Sequence, residues 1–165
     1  MVSIVSCIVV MSRERGLQVE NQPQVVILKG LSSSDLKFKV SDLIQLPLRF
    51  VDLAQFGSNL VGSGFLVSSL YKSIKGAASD LPKGLRVEAV DGFYAVIPWD
   101  ECETAIFQHA DENGCLLENS GPLRLFVPNG SSECLNVKSV VSIEFLDTEI
   151  TSAGFGNIIM KLRNN

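Results

Sequence analysis

A chain of 165 residues with 46% hydrophobic and 19% charged side chains has the length of one domain and enough apolar material for a core, which excludes a long multidomain enzyme and a disordered segment. With 14 Lys and Arg against 18 Asp and Glu the net charge is −4, which excludes nonspecific nucleic-acid binding through a basic surface. Any anionic ligand must be held by a few placed cations, and no apolar run reaches the roughly 18–20 residues needed to cross a bilayer.

In chain order, residues 1–11 are apolar but lack a basic start and a small-residue cleavage site, so a buried first strand is expected rather than a signal peptide; initiation at Met11 is the other reading. The polar stretch 12–22 completes an N-terminal extension, residues 23–150 form one domain, and 151–165 are a C-terminal extension. Residues 24–28 are β-branched and end at Gly30, as a strand should. Leu36, Phe38 and Val40 alternate with Lys37 and Lys39, the period of a strand with one wet face. Ser41 and Asp42 precede Leu43 and Ile44 and can cap a single helical turn that Pro47 closes. Leu66, Leu70 and Ile74 stand at helical spacing, which predicts a helix over 65–74 ended by Gly76.

Leu85, Val87 and Ala89 alternate with Arg86 and Glu88, Asp91-Gly92 supplies a tight turn, and 93–97 run on as a second strand, so a hairpin is predicted. Asp100 with Glu103 resembles a capping box and predicts a helix through Ala105, Ile106 and His109 that stops at Asn113-Gly114. Leu123, Leu125 and Val127 predict a strand before a Pro128-Asn129-Gly130 turn, and 137–145 predict another. Strands and short helices are thus interleaved in one domain of the α+β class.

Four cysteines, Cys7, Cys102, Cys115 and Cys134, form no C-x-x-C pair and have only His109 beside them, so a structural zinc site is not expected. A chain this apolar needs no staples, and free thiols in a reducing, cytoplasmic setting are expected. Gly57 and Gly62 have phosphate-loop spacing, but Ser63 stands where the lysine should be, which leaves a flexible loop. Gly154 and Gly156 lack the third glycine of a dinucleotide fingerprint, and His109 has no nucleophile motif to serve. Asn129-Gly130-Ser131 fits a glycosylation acceptor and fits turn chemistry equally well. Asp100, Glu101 and Glu103 most simply favour a helix dipole.

Residues 85–98, then Asn113-Gly114 with Leu116-Leu117, then Gly121-Pro122-Leu123-Arg124 with Pro128, then Val137-Lys138 before an Ile-Glu-Phe strand, follow one order. That order resembles the catalytic domain of molybdopterin-dependent oxidoreductases of the sulfite oxidase type, over 25–145 and most closely in the second half. The resemblance implies a single mixed-sheet domain with the molybdopterin-binding fold. It also implies that Arg124 and Lys138 hold the anionic cofactor, with Asp91, Gly92 and Tyr94 at the turn near the pocket and Asn119 where the family often has a histidine. Chemistry agrees with this, since a phosphate-bearing pterin suits one bidentate guanidinium and one ammonium.

The departures bear on activity. The family's molybdenum is held by a cysteine thiolate early in the domain, and the corresponding stretch 46–57 contains no cysteine. Asn119 can hydrogen-bond a phosphate but carries no charge. The expected function is therefore a non-catalytic member that binds a pterin or another small anionic ligand. A small molybdenum-cofactor-dependent oxidoreductase is the alternative. A partner-binding or structural role is the third reading, in which the apolar stretches 1–11 and 158–160 pack in a homodimer.

Overall fold

The computed structural model describes residues 24–117, 119–128, 135–148 and 150. The β-branched run becomes β1 (Val25–Lys29), and the Lys-interleaved run becomes β2 (Leu36–Lys39) with Leu36 and Phe38 turned toward the core. A single turn, α1 (Val40–Leu43), follows; its N-cap is Lys39, and no side chain caps it, so Ser41 and Asp42 lie inside the turn instead of before it. The chain then makes β3 (Phe50–Asp52), a 3₁₀ turn (Leu53–Phe56) and β4 (Ser63–Leu66). Helix α2 (Val67–Lys75) begins two residues later than its spacing predicts, because Phe65 and Leu66 pair with Phe107 and Ile106 as a strand. Gly76 ends it at φ +92°.

The predicted hairpin is β5 (Gly84–Ala89) and β6 (Tyr94–Pro98), closed through Asp91-Gly92 with Gly92 at φ +86°. After it the sequence reading fails. Only one turn, α3 (Trp99–Cys102), forms where a longer helix was expected, and no side chain caps it. Residues 106–110 are instead β7 (Ile106–Ala110), buried at every position. A strand enclosed on both faces shows no alternation, and its apolar run fits a helix equally well until packing decides. The last strands are β8 (Arg124–Phe126) and β9 (Val140–Leu146).

These strands form two sheets. The first is five-stranded, in the order β2-β1-β9-β5-β6, and is mixed: β1 and β9 are parallel and the other pairs antiparallel. The second is antiparallel, in the order β3-β4-β7-β8. The α+β class and mixed sheet expected from the sequence are thus found, with the strands shared between two sheets. One core joins them: Val26, Leu28, Val87 and Ile143 of the first sheet cluster with Phe65, Phe107 and Leu125 of the second. Helix α2 contributes Val67, Leu70 and Tyr71, and the Tyr71 ring meets those of Phe145 at 5.2 Å and Trp99 at 5.7 Å.

The free-thiol expectation is corrected in part. Cys102 is free and buried, but Cys115 is disulfide-bonded, with its partner outside the described residues. A reducing compartment does not follow for a chain holding this bond. In denaturant without reductant, the Cys102 peptide should take up an alkylating reagent and the Cys115 peptide should not; mass spectrometry that finds Cys115 labelled before reduction would contradict the bond. Among the described residues no helix is long and apolar enough to cross a membrane. The expectations for residues 1–23, for the Asn129-Gly130 turn, for Cys7 and Cys134, and for 151–165 with their glycines and apolar stretch lie outside the described residues.

Candidate anion site

Three segments that the sequence singles out meet through their backbones. The Ser139 amide donates to the Ser120 carbonyl at 3.0 Å, and the Val90 amide donates to the Ser139 carbonyl at 2.9 Å. Ser139 therefore links the 119–121 segment to the Asp91-Gly92 turn. It does so in the left-handed region, at φ +53°, a conformation that non-glycine residues hold only where their surroundings impose it.

Arg124 opens β8, whereas Lys138 lies in the bend before β9, since the strand expected over 137–145 begins only at Val140; the two segments are joined to each other. The Val140 amide donates to the Leu123 carbonyl and the Leu125 amide to the Val137 carbonyl, both at 2.8 Å, so the two cations ride on facing segments between these bonds. Lys138 is exposed, and Arg124 is half-buried. By register Arg124 faces Gln108 and Phe126 faces Ile106, while Phe107 and Leu125 point to the core. Arg124, Phe126, Gln108 and Ile106 thus share the sheet face away from the core.

The guanidinium carbon of Arg124 lies 4.6 Å from the centre of the Phe126 ring, a cation–π contact. Arg124 Nε is shut off from water and has no acceptor. Desolvation holds the Arg124 pKa below its ordinary value, and no carboxylate among the described residues pairs with it. Gln108, opposite it in register, turns its Nε2 to the carbonyls of Val61 and Ala110, each at 3.0 Å. What remains is a half-buried, directional cation with no carboxylate partner among the described residues.

The other expected site residues divide. Asp91 Oδ1 accepts from the Phe93 amide at 3.0 Å, so Asp91 builds the turn that Gly92 completes. Tyr94 stands apart: its ring carries the Arg86 guanidinium at 4.3 Å on the outer face of the first sheet, where Arg86 also pairs with Glu88 at 3.1 Å. Asn119 is exposed beside Ser120. Sequence reasoning did not find Gln24, whose Nε2 donates to the Leu117 carbonyl while its Oε1 is buried without a donor. Nor did it find Ser139 or Phe126. The Arg-x-Phe alternation at 124–126 was a legible signal for Phe126, whereas the backbone angle of Ser139 left none.

His109 belongs to the opposite face. It is 8% exposed, stacked on Phe65 with centroids 6.0 Å apart and edge-on to Phe50 at 5.6 Å, and its Nδ1 has no partner. Burial lowers its pKa, so the folded protein favours the neutral ring. The unfolded chain then binds more protons just below the ordinary histidine range, and the stability this group gives is present above that range and lost as pH falls toward the folded pKa. His109→Phe should flatten the fall of the urea midpoint between pH 7 and 5; an unchanged slope would rule this out.

The two described cysteines do not suit a molybdenum ligand. Burial pushes the Cys102 thiol far up, its sulfur lies against the Ile97 carbonyl, and Cys115 is oxidised, so neither offers a thiolate. No cluster of His, Cys, Asp and Glu able to hold a metal ion occurs among the described residues.

No family model matches this chain, and no curated protein matches it. Among solved structures it is similar to the sulfane dehydrogenase SoxCD from Paracoccus pantotrophus, at 20% identity and a TM-score of 0.53. The match covers 82% of this chain and 41% of that one, so the chain spans about two fifths of the length of its structural neighbour. At this identity the likeness is one of fold.

Proposed function

We propose that this protein is a molybdopterin-binding-like module that binds a small anionic ligand, a phosphorylated pterin among the candidates, without carrying out redox chemistry at a metal. The observation behind this reading is the Arg124 guanidinium, half-buried over Phe126 with no carboxylate partner among the described residues. A likeness of fold to a dehydrogenase and the sequence resemblance to the sulfite oxidase type supply the ligand class. The two described cysteines, one buried and one disulfide-bonded, offer no thiolate for a metal, which weighs against the catalytic alternative.

In this reading Arg124 supplies the forked contact to the anion, Lys138 adds charge from the facing segment, and Ser139 fixes the spacing between that segment and the 90–92 turn. Isothermal titration with a phosphorylated pterin and with inorganic phosphate tests it. Arg124→Ala should weaken binding by roughly tenfold to a hundredfold, the worth of one or two charge-assisted hydrogen bonds. Arg124→Lys should recover only part of that, because an ammonium keeps the charge without the fork. No binding by the unmutated protein, or equal binding by Arg124→Ala, would overturn the reading.

A further inference from the structure

Away from the Arg124 site, the loop before β3 and one face of α2 enclose an open depression of about 500 Å³, lined by Pro47, Leu48, Arg49, Ser69, Lys72 and Ser73. Its walls are set by the fold. The Arg49 carbonyl accepts from the Leu66 amide at 3.0 Å, which lays the 47–49 loop along the start of α2. Ser69, Lys72 and Ser73 stand at helix positions i, i+3 and i+4, and so present one face to it. We propose that this depression is a binding site for a phosphorylated polyol, such as a sugar phosphate.

The lining residues divide the ligand into two parts. Arg49 and Lys72 are both exposed, and neither has a carboxylate partner among the described residues, although the chain is acidic overall. Two such cations on one concavity suit a phosphate dianion, Arg49 by its fork and Lys72 as a point charge. The serines cannot serve the phosphate. Ser69 Oγ donates to the Leu66 carbonyl at 2.7 Å and Ser73 Oγ to the Leu70 carbonyl at 2.9 Å, so each hydroxyl has spent its proton and can only accept. Acceptors beside two cations call for a ligand that brings its own hydroxyl donors next to a phosphate, and Pro47 with Leu48 gives its carbon skeleton an apolar wall.

This inference does not rest on Arg124, and its test keeps the two apart. Amide chemical shifts of residues 48–73 are followed by NMR at low ionic strength, where exposed cations act most strongly, during titration with glucose 6-phosphate, inorganic phosphate and glucose. Glucose 6-phosphate should saturate at lower concentration than either of the others. R49A/K72A should weaken it by about tenfold or more. S69A/S73A should weaken glucose 6-phosphate and leave inorganic phosphate unchanged, and R124A should leave both unchanged at these amides. Absence of saturation at millimolar glucose 6-phosphate, unaltered binding in R49A/K72A, equal affinity for the sugar phosphate and inorganic phosphate, or loss of the shifts in R124A would each overturn the proposal.

Discussion

Gly30→Ala should lower the stability of this protein by about 3 kcal/mol or more, a large part of the 5–15 kcal/mol typical of a domain. Gly30 ends β1 at φ +77°, and a Cβ there would run into the backbone carbonyl of Phe145 on the neighbouring strand β9. The left-handed conformation alone costs about 1–2 kcal/mol for a residue with a Cβ. The rest comes from forcing apart a parallel pair in which Lys29 faces Glu144. Gly92→Ala is the control: its φ is +86°, but a Cβ would meet nothing, so only the conformational share should be lost. Urea unfolding distinguishes the two; equal midpoints for both variants would show that the close approach to Phe145 carries no weight.

Phe107→Ala should cost a comparable 3–5 kcal/mol, the usual range for removing a buried phenylalanine. Phe107 is fully buried on β7, its ring centroid lies 5.9 Å from that of Phe65, and it stands opposite Leu125 in the ladder that carries Arg124. The cavity would open directly behind the proposed anion site. Anion binding should therefore weaken along with stability in this variant, whereas Phe107→Leu, which keeps most of the volume, should retain binding. A destabilised Phe107→Ala protein that binds as tightly as the unmutated one would show that β8 positions Arg124 without support from the core.

How much of this could be read from residues alone depended on where each strand lies. The 84–98 hairpin was legible because β5 alternates between buried and half-buried residues, and Asp91-Gly92 is a turn dipeptide with one structural meaning. β7 was not legible. Its five residues are buried on both faces, and Asp100 and Glu103 upstream imitated a helix start that ends after one turn. β3 is only three residues long and Phe50 on it is 49% exposed, too short and too open to show a period. At the candidate site Arg124 was visible because Leu123, Leu125 and Val127 alternate around it, whereas Lys138 falls in a bend two residues before β9. Neither the isolation of Arg124 from every described carboxylate nor the withdrawal of Tyr94 under Arg86 could be read, because both depend on which residues distant in sequence become neighbours.

The parallel pairing of β1 with β9 has a consequence for how the protein is made. All four strands of the antiparallel sheet precede Val140, so a chain emerging from a ribosome can assemble that sheet while β9 is still unsynthesised. β1, the first strand described, must wait for the last one before it gains its inner neighbour, and β5 must wait for the same strand. Closing a loop of that span is slow, and it leaves the apolar faces of Val26 and Leu28 open to other nascent chains until the final segment arrives.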